Sequence, residues 1–236
     1  MPQKTTTDSL LSAEALEARL EAPRYILASA AAKLHTLGEH YAATQKAITA
    51  NVLLSPEERD AQLAAAAQAT RDRLEAISHG GLMAVDAIQG ALAQSRRDVA
   101  HARLPLSRDA LLCAAAWERA WAELTRLNAS EWQRSETEIV QQLAAGADPA
   151  MLAALWRGIP LWCQAHYAAS PDEAQSRADE LLALADTVAR RTVFGEVTGT
   201  ADAIEQALPA QMRAVDLAID EVAAALAVAQ QASGKR

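Results

Sequence analysis

"SPEERDAQLAAAAQATRDRLEAISHGGLMAVDAIQGALAQSRRDVAHARLP", Ser55 to Pro105, decides the fold. Its stripe is Leu63, Ala67, Thr70, Leu74, Ile77, Gly81, Ala84, Ile88, Leu92, Ser95, Val99 and Ala102. Steps of three and four, kept up over most of the stretch, mark one face of a helix. Ser55-Pro56-Glu57-Glu58 is a start signal. The serine hydroxyl caps, proline suits the first helical position, and Glu58 reaches back to the Ser55 amide. Pro105 ends the run. A single helix of this span measures about 70 Å at 1.5 Å per residue, and a kink is expected at Gly80-Gly81.

The same reading extends in both directions. Upstream, a short helix is expected from about Asp8 to Ala22, stopped by Pro23. A longer one follows to about Leu54, with Ile26, Ala30, Leu34, Leu37, Tyr41, Thr44, Ile48 and Val52 on its stripe. Downstream, one helix is expected from Ser107 to Ala145, with Trp117, Trp121, Leu124, Asn128, Ser135, Ile139 and Leu143 near one face. Gly146 ends it. Asp148 caps the next helix, with Pro149 in first position. Ser170-Pro171-Asp172-Glu173 repeats the start device, and Ala174, Ala178, Leu181, Ala185 and Val188 follow. Phe194 to Thr200 reads as a break. The last stripe is Ile204, Leu208, Met212, Val215, Ile219, Val222 and Leu226.

No segment alternates with period two, so no sheet is expected. The fold class is all-α: long antiparallel helices in a bundle or coiled-coil arrangement, with breaks at Pro105, Gly146, Ser170 and Gly195. Two regions are expected, a long-helix part over 1–105 and a C-terminal helical part over 106–236, or one continuous bundle of both. About a quarter of the residues are alanine. Alanine favours helix but makes thin seams that bury little apolar area. Self-association would compensate, so a homo-oligomer is expected, with the Ile204 to Leu226 stripe as its contact.

The chemistry-bearing residues are sparse. Net charge is −8, which argues against a nucleic-acid partner. Arg96, Arg97, His101, Arg103 and Arg108 are diluted by Asp98 and Asp109 and read as a solvated face. Cys113 and Cys163 stand far apart, and no apolar run follows a basic start, so a cytoplasmic protein with reduced thiols is expected. No stretch is long and apolar enough to suggest transmembrane insertion. Cys163 and His166 share a helix face, but a closed zinc site needs two further ligands, and the other histidines are scattered. His79-Gly80-Gly81 lies inside a helical stripe rather than after a strand. No glycine-rich phosphate loop is present. The expectation is a protein with no catalytic residue, no metal and no cofactor, and not an enzyme.

The tryptophans are concentrated at 117, 121, 132, 156 and 162. Two readings stand: core packing, or an amphipathic boundary at which the indole N–H stays wet. Gly158 and Pro160 would loosen the helix between Trp156 and Trp162 and let it bend around a surface. On the second reading Leu152, Leu155, Trp156, Ile159 and Trp162 carry a hydrophobic surface contact.

The segment "SEWQRSETEIVQQLAAGADPAMLAALWRGIPLWCQAHY", 130–167, followed by "RADELLALADTVARR", 177–191, resembles the phasin family, helical proteins that coat polyhydroxyalkanoate granules. Leu143-Ala144-Ala145, Pro149, Leu152, Leu155, Trp156, Tyr167, Leu181, Leu184 and Val188 carry the resemblance, over about 130–192. Pro160 and the capping signal at Ser170 depart from the family pattern. The resemblance implies a non-enzymatic coat that binds a granule surface and self-associates. A different class remains open: a self-assembling structural part, such as a phage scaffold, working through partner helices. A helical bundle that binds a small ligand or acts as an enzyme is the third.

Overall fold

The structure, a computed structural model, describes residues 10–126 and 135–233, with side chains described as far as residue 228. Among these residues there are seven helices and no strand: α1 (Ala13–Ala50), α2 (Pro56–His101), α3 (Ala110–Arg126), α4 (Glu136–Ala145), α5 (Pro149–His166), α6 (Pro171–Val193) and α7 (Gly195–Ser233). The all-α expectation holds. The chain forms two compact units, one from Met1–Ser95 with Gly199–Arg236 and the other from Arg96–Thr198. This division differs from the expected boundary at 105. The second unit is an insert in the sequence of the first, because the α7 stripe returns to pack with α1 and α2.

The first unit is a three-helix bundle of α1, most of α2 and most of α7. The Ser95 hydroxyl donates to the Leu10 carbonyl at 3.0 Å, which makes α1 and α2 an antiparallel hairpin. A cavity of about 220 Å³ sets Glu17 and Arg24 of α1 beside Thr200, Ile204 and Gln211 of α7. Farther along, His35 meets Glu221 at 3.8 Å, and a Cβ at Gly38 would lie 3.5 Å from Val222. Residue numbers rise together, so α1 and α7 run parallel.

Four places decide the local punctuation. First, α1 runs unbroken through Pro23 from a Ser12 cap whose hydroxyl accepts the Ala15 amide. Leu16, Leu20, Leu27, Ala30, Leu34, Leu37 and Tyr41 are buried on one continuous stripe that includes position 23. Burial on both sides of the proline outweighs the missing backbone donor. The stripe therefore uses Leu27 and leaves Ile26 exposed. Second, α2 is the single helix that its stripe implies, with Gly80-Gly81 inside it. Gly81 sits on the seam, where a Cβ would be 3.9 Å from Val215. Third, the break expected over Phe194 to Thr200 shrinks to Phe194, since Val197 and Ala201 are already buried and Thr198 bonds back to Phe194. Fourth, the helix expected from Ser107 to Ala145 is divided into α3 and α4. Asn128 and Trp132 lie outside the described residues.

The second unit packs α3 along α5, α4 along α6, and α5 along α6. The helix α5 is its centre, burying Ala150 through Leu155, Gly158, Ile159, Trp162 and Cys163. Six consecutive buried residues cannot lie on one face, so this helix must be covered on several sides. Asp148 caps it by accepting the Met151 amide at 2.7 Å. Arg190, held by Asp186 at 2.7 Å, donates to the Val99 carbonyl at 2.8 Å and the Ala102 carbonyl at 2.5 Å. It thereby satisfies carbonyls that the end of α2 leaves open.

Candidate functional site

Of the residues expected to form a hydrophobic contact surface, Leu152, Leu155, Ile159 and Trp162 are core instead. Leu155 and Ile159 are fully buried, Leu152 and Trp162 nearly so. Ile159 and Trp162 pack with Ala116 and Ala120 of α3, Val140 of α4, and Leu181 and Ala185 of α6. Trp156 is half-buried beside Leu104, Leu152, Ala189 and Phe194. The reason is stoichiometric: α5 carries more apolar surface than one face can offer a ligand, and three helices cover it. Pro160 does not interrupt α5, which runs on to His166.

The expected self-association stripe is likewise spent inside its own unit. Ile204, Leu208, Val215, Val222 and Leu226 are buried, and Met212 and Ile219 are half-buried.

Two polar features surround the core of the second unit. His166 stacks on Trp162, with ring centroids 4.7 Å apart and planes 11° apart, while Cys163 is buried beneath. Among the described residues no group of three or more His, Cys, Asp or Glu is placed to hold a metal. The second feature joins three helices. Tyr167 donates to Glu136 Oε1 at 2.5 Å. Arg177 donates to Glu136 Oε2 at 2.8 Å, to Thr137 at 3.2 Å and to Glu180 at 2.7 Å. Burial first, then its bond to Glu136, pushes the Tyr167 hydroxyl up to about 12. Burial first, then the Glu136 charge, pushes the Cys163 thiol up to about 11. The hydrogen bond to Glu136 holds Arg177 still further above its ordinary range. Tyr167, Glu136 and Arg177 make a clamp tying α4, the end of α5 and α6. A thiol with a raised pKa is poorly suited to nucleophilic attack.

The open apolar surface of this unit lies between α3 and α5. A groove of about 250 Å³ is lined by Ala110, Cys113, Ala114 and Trp117 on one side and by Ala154, Arg157, Gly158 and Leu161 on the other. Its floor depends on a missing side chain, because a Cβ at Gly158 would fall 2.2 Å from the Trp117 ring. Trp117 also meets Trp121 edge to face at 5.7 Å. Leu161 on the groove wall is 62% exposed, and Leu111 at the start of α3 is 83% exposed. Leu112 and Trp121 are exposed as well. Leu111, Leu112 and Leu161 are apolar positions off the expected stripes, which a search for stripes passes over, whereas Trp121, expected on the stripe, is exposed instead.

Among the described residues no helix is long and apolar enough to cross a membrane. No protein-family model, no curated protein and no solved structure matches the chain.

Proposed function

We propose that this protein is a non-enzymatic helical coat protein of the phasin type, which holds a hydrophobic polyester surface by contact. The observation that supports it is the α3/α5 apolar groove with Leu161 and Leu111 held out in water beside it. Withdrawing an exposed leucine from water contributes about 1.5–3 kcal/mol, so a few such side chains on one face give useful adhesion. The contact residues in this reading are Leu111, Trp121 and Leu161, in place of the buried set on α5. The acidic net charge of −8 suits mutual repulsion between coated particles.

The test is co-sedimentation of the full chain with polyhydroxybutyrate particles, beside a variant carrying Leu111→Ser and Leu161→Ser. The expected result is binding by the wild type and loss of most of it in the variant. Equal binding by both removes the α3/α5 assignment. No binding by the wild type, together with ordered high-mass assemblies of the chain alone, replaces the coat with a self-assembling scaffold.

A further inference from the structure

The turn between α1 and α2 is firmly built. The Asn51 amide donates to the Ile48 carbonyl at 3.3 Å, and Asn51 Oδ1 accepts the Leu53 amide at 3.0 Å. Arg59 Nη2 donates to the carbonyls of Asn51 at 3.1 Å and Leu54 at 3.5 Å. Ser55 and Glu58 exchange two bonds, amide to carboxylate at 2.9 Å and amide to hydroxyl at 3.2 Å. At the apex, Val52 and Leu53 are 88% and 89% exposed, the most exposed large apolar side chains among the described residues. Asn51, Ser55, Glu58 and Arg59 supply the turn's bonds through side chains. None of these bonds needs an aliphatic side chain at 52 or 53.

We propose that Val52 and Leu53 form a preorganised insertion tip for an uncharged apolar surface, namely the polyester surface of the coat function, on which this inference rests. Size argues for a surface rather than a protein. Two side chains on a convex turn offer far less than the roughly 1,200 Å² that a stable protein–protein interface buries. Charge argues for an uncharged surface. Glu57, Glu58 and Asp60 follow the tip directly, Arg59 is committed to the loop carbonyls, and Lys46 is the other Lys or Arg within ten positions of the tip in sequence. Anionic headgroups select clusters of Lys and Arg, which this tip lacks. Because the loop bonds already fix the backbone, insertion orders little additional chain.

The experiment uses the full chain with Val52→Ser and Leu53→Ser together, in a loop where neither side chain is buried. Partition onto polyhydroxybutyrate particles is expected to fall roughly tenfold or more, as the loss of two buried aliphatic groups implies. A second variant, Leu53→Cys, takes an environment-sensitive dye at the tip alone, since Cys113 and Cys163 are buried. Its emission is expected to shift to the blue on the particles. Wild-type binding with an unchanged Ser variant and an unshifted dye overturns the tip while leaving the coat function standing. Absence of wild-type binding overturns both. A dye shift on anionic vesicles but not on particles, or a change in oligomeric state caused by the Ser variant, reassigns the tip to lipid or to a second copy and likewise overturns the proposal.

Discussion

The two units solve the same problem with different materials. The first joins long helices of 38, 46 and 39 residues through narrow seams in which alanine, glycine and threonine alternate with leucine. The second gathers helices of 17, 10, 18 and 23 residues around one that is apolar on most sides. Long seams spread a small burial per residue over a great length, so no single position dominates. A short bundle concentrates burial on a few side chains, and each must fit. All five tryptophans fall within the sequence span 96–198 of the second unit, so their fluorescence reports on that span.

The sharpest way to break that comparison is to empty one position in each unit. Leu155→Ala removes a fully buried side chain at the centre of α5, and a loss of about 2–5 kcal/mol is expected. Leu20→Ala, also fully buried, sits on a seam where neighbouring helices can close up, so its cost is expected at the lower end, about 2 kcal/mol. Denaturant titration read by fluorescence measures the first, and amide hydrogen exchange along α1 the second. Equal costs would mean the seams are as unyielding as the insert.

Next comes a pair of glycine substitutions expected to differ in sign. Gly158→Ala drives a methyl into the Trp117 ring, and overpacking of this kind costs about 1–3 kcal/mol. Pairing it with Trp117→Ala should recover most of the loss, which a double-mutant cycle measures. Gly81→Ala meets only ordinary contact with Val215, so helix propensity dominates and a gain of up to about 1 kcal/mol is expected. If both changes destabilise alike, the seam is packed as tightly as the groove floor.

These contrasts show which features the sequence made legible. Continuous stripes fixed the helix content, and α2 emerges over nearly the whole span its caps implied. Proline misled at two positions: Pro23 and Pro160 lie inside helices, because buried side chains on both flanks hold the backbone. The division into units was hidden, since nothing in the Ile204 to Leu226 stripe names its partner helices. The reciprocal box of Ser135 and Glu138, with both bonds formed, was readable from Ser-Glu-Thr-Glu but lay inside what looked like one long helix. The Glu136, Tyr167 and Arg177 clamp spans 31 and 41 positions and has no local signature. The tryptophan cluster stayed open between core and surface because an amphipathic residue fits either side of a boundary. Only the count of apolar neighbours on α5 separates the two.

A milder effect links the second unit to pH. Cys163 and Tyr167 titrate at about 11 and about 12 in the folded chain, against ordinary values of 9.0 and 10.0. Both raised values mean that the folded state keeps protons which the unfolded state releases. Their stabilisation is complete below pH 9 and is lost as pH climbs through 9 to 12. The fluorescence-detected midpoint is expected to fall between about pH 8 and about pH 10. Tyr167→Phe should flatten the upper part of that decline, and a midpoint indifferent to alkali would remove the clamp's role in stability.

The smallest contrast lies between two near-identical signals. Ser55-Pro-Glu-Glu forms both reciprocal bonds, with Glu58 held below the usual carboxylate range by the Ser55 amide and then its hydroxyl. Ser170-Pro-Asp-Glu opens α6 with no side-chain cap bond at all. Ser55→Ala is therefore expected to cost about 1 kcal/mol, seen as faster amide exchange in the first turn of α2. Ser170→Ala should stay within about 0.5 kcal/mol of the wild type, with exchange in the first turn of α6 unchanged. The difference follows from surroundings rather than from the motif. At Ser55 the helix start is part of a short turn that needs every bond to hold its shape. At Ser170 the helix is fixed by Ala174, Ala178 and Leu181 in the core, so burial sets its start and the hydroxyl is left without a task.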